Sequence, residues 1–178
     1  MKSRKFILKP EHKKKLRSWF LRVDPSKKLS IPAESKVHDR TLQSYDGKLL
    51  TCLDSDGYNI LHEICHHLVA SKENRKLPNW GLGESPFEKE ECPVSKQTRD
   101  ETESLQEELD CSALHLALSR LFGAKGWDLI MEADTIRVAL PTQEVISSLQ
   151  EKYPAALPFN VWDQLRDIHK KPTRDTCR

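Results

Sequence analysis

Two histidines four residues apart, with a glutamate directly after the first, make His62-Glu63-Ile64-Cys65-His66 the densest chemical signal in the chain. Residues four apart on an α-helix stack on one face, so the two imidazoles can converge on a single metal ion. Glu63 lies about 100° round the helix from His62, beside the ligands without being one. The chemistry this spacing serves is metal-assisted hydrolysis: the histidines hold a divalent cation and the glutamate acts as general base on a metal-bound water. Ile60, Leu61, Ile64, Leu68 and Val69 recur at helical spacing around the motif, and Asp56-Gly57 reads as a turn leading into the helix. His67 points away from the pair, so it is expected to pack behind the ligands or support them.

A metal site that keeps one position open takes three protein ligands, so the third must come from another element. Residues 103–122 read as the strongest helix of the chain, ended by Gly123. Leu105, Leu109, Ala113, Leu116, Ala117 and Leu121 mark one apolar face, widened by Leu114 and Leu118. A helix apolar round most of its circumference is buried, and polar residues on it need a reason to be there. At about 100° per residue, Glu108, Ser112, His115 and Ser119 fall in one narrow polar stripe, whereas Asp110 lands within the apolar arc. Glu108 is the first candidate for the third ligand, with Asp110 the alternative and Glu107 also open. His115 is a candidate for the layer around the site.

Other elements have to place these two helices. Residues 10–23 carry Leu16, Trp19, Phe20 and Val23 at helical spacing, an amphipathic helix with its lysines in water. Residues 29–46 read as mixed extended chain and loop, and Lys48 to Leu53 as a short strand. In residues 72–83, Pro78, Gly81 and Gly83 forbid a regular helix, so Trp80 and Leu82 either wall a cleft or close the core in a compact turn. Residues 84–102 are acidic, broken by Pro86 and Pro93, and read as a long loop or lid. A strand at Thr135 to Leu140, a helix from Pro141-Thr142 through Leu149, a last amphipathic helix around Val161, Trp162, Leu165 and Ile168, and a frayed basic tail over 170–178 complete the reading.

The 178 residues suit one domain. No run of about 18 apolar residues occurs, so no membrane span is expected. After Met1-Lys2-Ser3-Arg4-Lys5 the apolar run stops at three residues, too short for a secretory signal. Five cysteines without a C-x-x-C pair suit a reducing, cytoplasmic setting, with Cys65 and Cys111 as ordinary buried thiols. The net charge of +2 hides an asymmetry: residues 1–30 hold eleven Lys or Arg against Glu11 and Asp24, and residues 84–110 hold ten Asp or Glu against three basic residues. The basic helix lacks the aromatic interleaving of a nucleic-acid module. It reads as a solvated face, or as a contact for an acidic partner.

The His62-Glu63-x-x-His66 motif followed by a later helix bearing Glu resembles zincin-like metalloproteins of the gluzincin type. That resemblance implies an α+β fold, with several helices packed on a small sheet and the metal between the motif helix and the Glu-bearing helix. It also implies zinc on His62, His66 and Glu108, Glu63 as base, and a protein or peptide substrate. Residues 62–83 and 108–122 also resemble the elongation factor P hydroxylase family, in which the same ligand types hold a non-haem iron. Three functions stay open: a zinc peptidase, an iron-dependent protein hydroxylase, and a non-catalytic metal-binding interaction module.

Overall fold

A computed structural model describes residues 6–31, 43–52, 56–82, 100–124 and 141–153. The first helix, α1 (Pro10–Val23), starts on a proline, whose fixed φ and missing N–H suit a first turn. Leu16, Trp19 and Phe20 are its buried stripe. Three short strands follow: β1 (Lys28–Ser30), β2 (Gln43–Tyr45) and β3 (Leu49–Cys52). They form a sheet in the order β1-β3-β2, with Leu29 opposite Leu50 in parallel register and Tyr45 opposite Leu50 in antiparallel register. The turn between β2 and β3 is closed by Asp46, whose carboxylate accepts from the backbone N–H of Lys48 and Leu49. Gly47 takes φ +87 there, and a Cβ would meet the carbonyl oxygen of Lys76 at 2.6 Å. The buried Lys27 ammonium donates to the Gly47 carbonyl at 2.9 Å, which ties β1 to this turn.

The motif helix, α2 (Gly57–Val69), is capped at both ends. The Asp56 carboxylate accepts from the Tyr58 N–H at its start. At its end the Arg75 guanidinium donates to the carbonyls of His67 and Leu68 at 2.8 and 3.2 Å, filling acceptors that helix ends leave open. Arg75 belongs to the first of two short 3-10 turns, Asn74–Lys76 and Pro78–Gly81. The N-terminal segment crosses the start of α2: Gly57 donates to the Phe6 carbonyl, and a Cβ on Gly57 would collide with Phe6.

Helix α3 (Glu101–Leu121) begins two residues earlier than its hydrophobic pattern suggests, because Asp100 caps it and accepts from the Glu103 N–H. Glu101 and Glu103 then lie in the first turn, where the helix dipole favours acids. The end of the expected acidic loop is therefore helix. The expected apolar face holds in the second half of the helix, where Ala113, Leu114, Leu116, Ala117 and Leu118 are buried with every other residue from Asp110 to Ser119, but not in the first, where Leu105 and Leu109 are 62% and 44% exposed and Glu107 is buried. Helix α4 (Gln143–Lys152) is capped by Thr142 and buries Ile146 and Leu149.

The buried side chains of α1, the sheet, α2, α3 and α4 form one continuous core, in which α2 packs chiefly against α3. A mixed α+β architecture, four helices with a small sheet among the described residues, is what these elements build. No helix among them is long and apolar enough to cross a membrane. Residues 84–99 of the acidic loop expected over 84–102, the strand over 135–140, the last helix near 161–168 and the tail over 170–178 lie outside the described residues.

Candidate metal centre

Of the thirteen residues of α2, ten are buried, and only Asn59, His62 and Glu63 are half-buried. These three fall within an arc of about 100°, so the helix opens on one side alone, and that opening holds the first histidine and the glutamate. His66, a turn further in, is buried beneath it.

Glu108 on α3 comes to meet both histidines. Its two carboxylate oxygens lie 3.0 Å from His62 Nε2 and 3.2 Å from His66 Nε2, and the two ring nitrogens are 3.1 Å apart. Bonds of about 2.0–2.2 Å to donors spaced like this would subtend about 85–105° at a shared ion, between octahedral and tetrahedral values. Two imidazole nitrogens aimed at each other across a carboxylate are a donor set that fits a divalent cation. Burial works against the negative charge of Glu108, but hydrogen bonds from His62 and His66 hold its pKa well below the usual carboxylate range. The acid is therefore ionised and ready to ligate.

A second group shares His66. Its Nδ1 lies 3.3 Å from Cys111 Sγ and 3.5 Å from Glu107 Oε1, with all three residues buried. Burial disfavours the His66 imidazolium, yet the Cys111 sulfur, Glu107 and Glu108 outweigh it and raise the pKa well above the ordinary histidine value. Burial likewise pushes the Cys111 thiol up to about 11. Each group, His62/His66/Glu108 and His66/Glu107/Cys111, could hold a metal ion.

No family model, no curated protein and no solved structure matches the chain. The reading therefore rests on where the residues are.

Asp110, the alternative third ligand, is engaged elsewhere. It accepts from Lys152 Nζ and Tyr153 OH, each at 2.6 Å, and from Gln106 Nε2 at 2.9 Å. Two residues beyond Glu108, it points some 200° away round the helix and anchors the end of α4. The three residues expected around the site pack as follows. The Trp80 ring is fully buried and stacked on His66, with centroids 5.2 Å apart and planes at 22°. It is a wall behind the ligand rather than an open rim. His115 presents its ring edge-on to His62 at 5.4 Å. His67 stacks on Phe20 at 3.8 Å, and its Nδ1 faces the Trp80 indole N–H at 3.5 Å. Burial, helped by Arg75, lowers its pKa to about 3, so it stays neutral.

Sequence reasoning missed Cys111 as a neighbour of His66, and missed Tyr45, which stacks on Trp80 at 4.6 Å. A signal for the first was available: Glu107, Cys111, Leu114 and Leu118 share one helical face, and centring the wheel on those leucines draws the acid and the thiol into the core.

Proposed function

We propose that the chain is a metal-dependent hydrolase of the HExxH type, a zincin-like zinc peptidase of gluzincin type that acts on a protein or peptide. The observation that carries this reading is the juxtaposition of His62, His66 and Glu108 donor atoms, 3.0 to 3.2 Å apart, with Glu63 on the one open side of the same helix. His62, His66 and Glu108 would hold the ion. Zinc bound there supplies a Lewis acid and a water whose pKa falls to about 7. Glu63 takes the proton of the attacking water and passes it to the departing amine. A purely structural site has no use for a carboxylate beside its first ligand at the mouth.

The Glu63→Gln variant tests this directly. Hydrolysis of a peptide library should fall by at least about two orders of magnitude, the scale of a general base, while zinc content by elemental analysis stays at the wild-type level. Turnover that survives the substitution would remove the base and with it the reading.

A second reading is favoured by the make-up of the donor set. Two histidines and one carboxylate on one face are the ligand set of non-haem iron oxygenases, and under that reading the chain is a protein hydroxylase. Purification without chelators separates the two: zinc with oxygen-independent cleavage supports the hydrolase, and iron with oxygen-dependent product supports the hydroxylase.

A further inference from the structure

We propose that the buried trio His66, Glu107 and Cys111 is a second metal site, set back to back with the first across the His66 ring and suited to a thiophilic divalent ion such as zinc. It shares a residue with the proposed hydrolase site but does not rest on any catalysis there. The distances suit coordination. His66 Nδ1 is 3.5 Å from Glu107 Oε1, whereas an ionised hydrogen-bonded pair closes to about 2.7–2.9 Å. With zinc bonds of about 2.3 Å to sulfur and 2.0–2.2 Å to nitrogen and oxygen, tetrahedral donors stand about 3.3–3.6 Å apart for nitrogen and oxygen and about 3.5–3.7 Å apart for sulfur and nitrogen. The span observed from Nδ1 to oxygen, 3.5 Å, is of that size, and the 3.3 Å span to sulfur is slightly shorter.

Burial points the same way. His66, Glu107 and Cys111 are 4%, 7% and 0% exposed, so an ion among them would be held out of water by an imidazole, a carboxylate and a thiolate. Stacking on Trp80 fixes the plane of the His66 ring, which keeps both nitrogens aimed. As the inner ion enters, the Cys111 thiol proton and the Nδ1 proton leave to solvent. Thiolate, imidazolate, Glu107 and Glu108 then set four negative charges against two dications, the neutrality a dry interior demands. Sulfur in the inner set selects a softer ion than the outer nitrogen and oxygen set requires.

Titration of the metal-free full chain with cobalt(II) tests the proposal, because cobalt bound to thiolate has an intense near-ultraviolet charge-transfer band that nitrogen and oxygen ligands do not give. The expected result is two ions per chain with that band. Cys111→Ser should lose the band and one ion, and the double variant His62→Ala with Glu108→Ala should keep the band and one ion. One ion without the band, or a band that persists in Cys111→Ser, overturns the site. Loss of the outer ion alone, with the band intact, sinks the hydrolase reading and leaves the inner site standing. Should Cys111→Ser fail to fold, X-ray absorption of the zinc-loaded wild type decides: half a sulfur neighbour per zinc at about 2.3 Å is expected, and none overturns it.

Discussion

Replacing Trp80 by alanine and by glycine separates the packing of the site from the backbone strain beneath it. Asn79, Trp80 and Gly81 take φ of +45, +51 and +76 in succession, the left-handed region that costs an L-residue about 1–2 kcal/mol. A tryptophan stays there because its ring is fully buried between Tyr45, at 4.6 Å and 10°, and His66, at 5.2 Å and 22°. Deleting a buried aromatic ring of this size costs about 3–5 kcal/mol, and alanine keeps the strained Cβ. Glycine loses the same ring but relaxes the backbone, so it should recover about 1 kcal/mol relative to alanine. That inverts the usual order, in which glycine is the less stable by about 0.5–1 kcal/mol. Urea unfolding of the metal-free protein, followed by circular dichroism, measures both. Competition with a chromophoric chelator should also show zinc affinity falling about 10–100-fold in either variant, the scale for contacts that orient a ligand. An alanine variant destabilised by less than about 1 kcal/mol, or a glycine variant less stable than the alanine one, refutes the argument.

Asp110→Asn should weaken the hold of Lys152 and Tyr153 on α3 and cost about 1–2 kcal/mol, discounted because the Lys152 side chain is 47% exposed. Zinc stoichiometry should not change, and a lost ion would return Asp110 to the ligand set. Zinc at 100 times the dissociation constant of the outer site should stabilise the chain by about 2.7 kcal/mol through that site; a chelator reverses this, and His62→Ala should lose that share of the gain in a thermal scan, keeping only what the inner site supplies. Burial, against the pull of Glu11, lowers the pKa of His12, which packs on Phe122. The unfolded chain then binds the proton more readily than the folded one, so stability falls as pH drops below about 6.5. His12→Phe should flatten that slope between pH 7 and 5 in urea titrations, and an unchanged slope would assign the dependence to another group.

How much of this was legible depended on how local the cause was. Helix α2 could be read because its apolar spacing, the Asp56-Gly57 turn before it and the four-residue step from His62 to His66 all lie within fifteen residues. The polar stripe of α3 was legible for the same reason, and Glu108 lies on it. Which side of the first half of α3 would be buried was not, since leucines occupy most of the helix circumference. Leu105 and Leu109 looked like core, yet the chain puts Glu107 and Cys111 on the packed face because His66 is opposite. Strands β1 and β2 are three residues each and owe their existence to pairing with β3, a non-local cause that no alternation within them records. The left-handed turn under Trp80 is likewise imposed by Tyr45 and His66, which are distant in sequence.

The two adjacent acids of α3 explain why one histidine is the pivot. Neighbouring helix residues diverge by about 100°, so Glu107 and Glu108 cannot approach one atom from the same side. They reach opposite nitrogens of one ring: Glu107 lies 3.5 Å from Nδ1 and Glu108 lies 3.2 Å from Nε2 of His66. The side chain of Glu108 is 48% exposed and that of Glu107 only 9%. Among the described residues, the Glu108 side of His66 is therefore the one that solvent reaches, while the Glu107 side is buried with Cys111. A one-residue slip of α3 would turn its acids by a quarter of the helix circumference and leave neither nitrogen faced. Under the proposed function, turnover belongs to the outer face of His66, and the inner face serves to bind and hold.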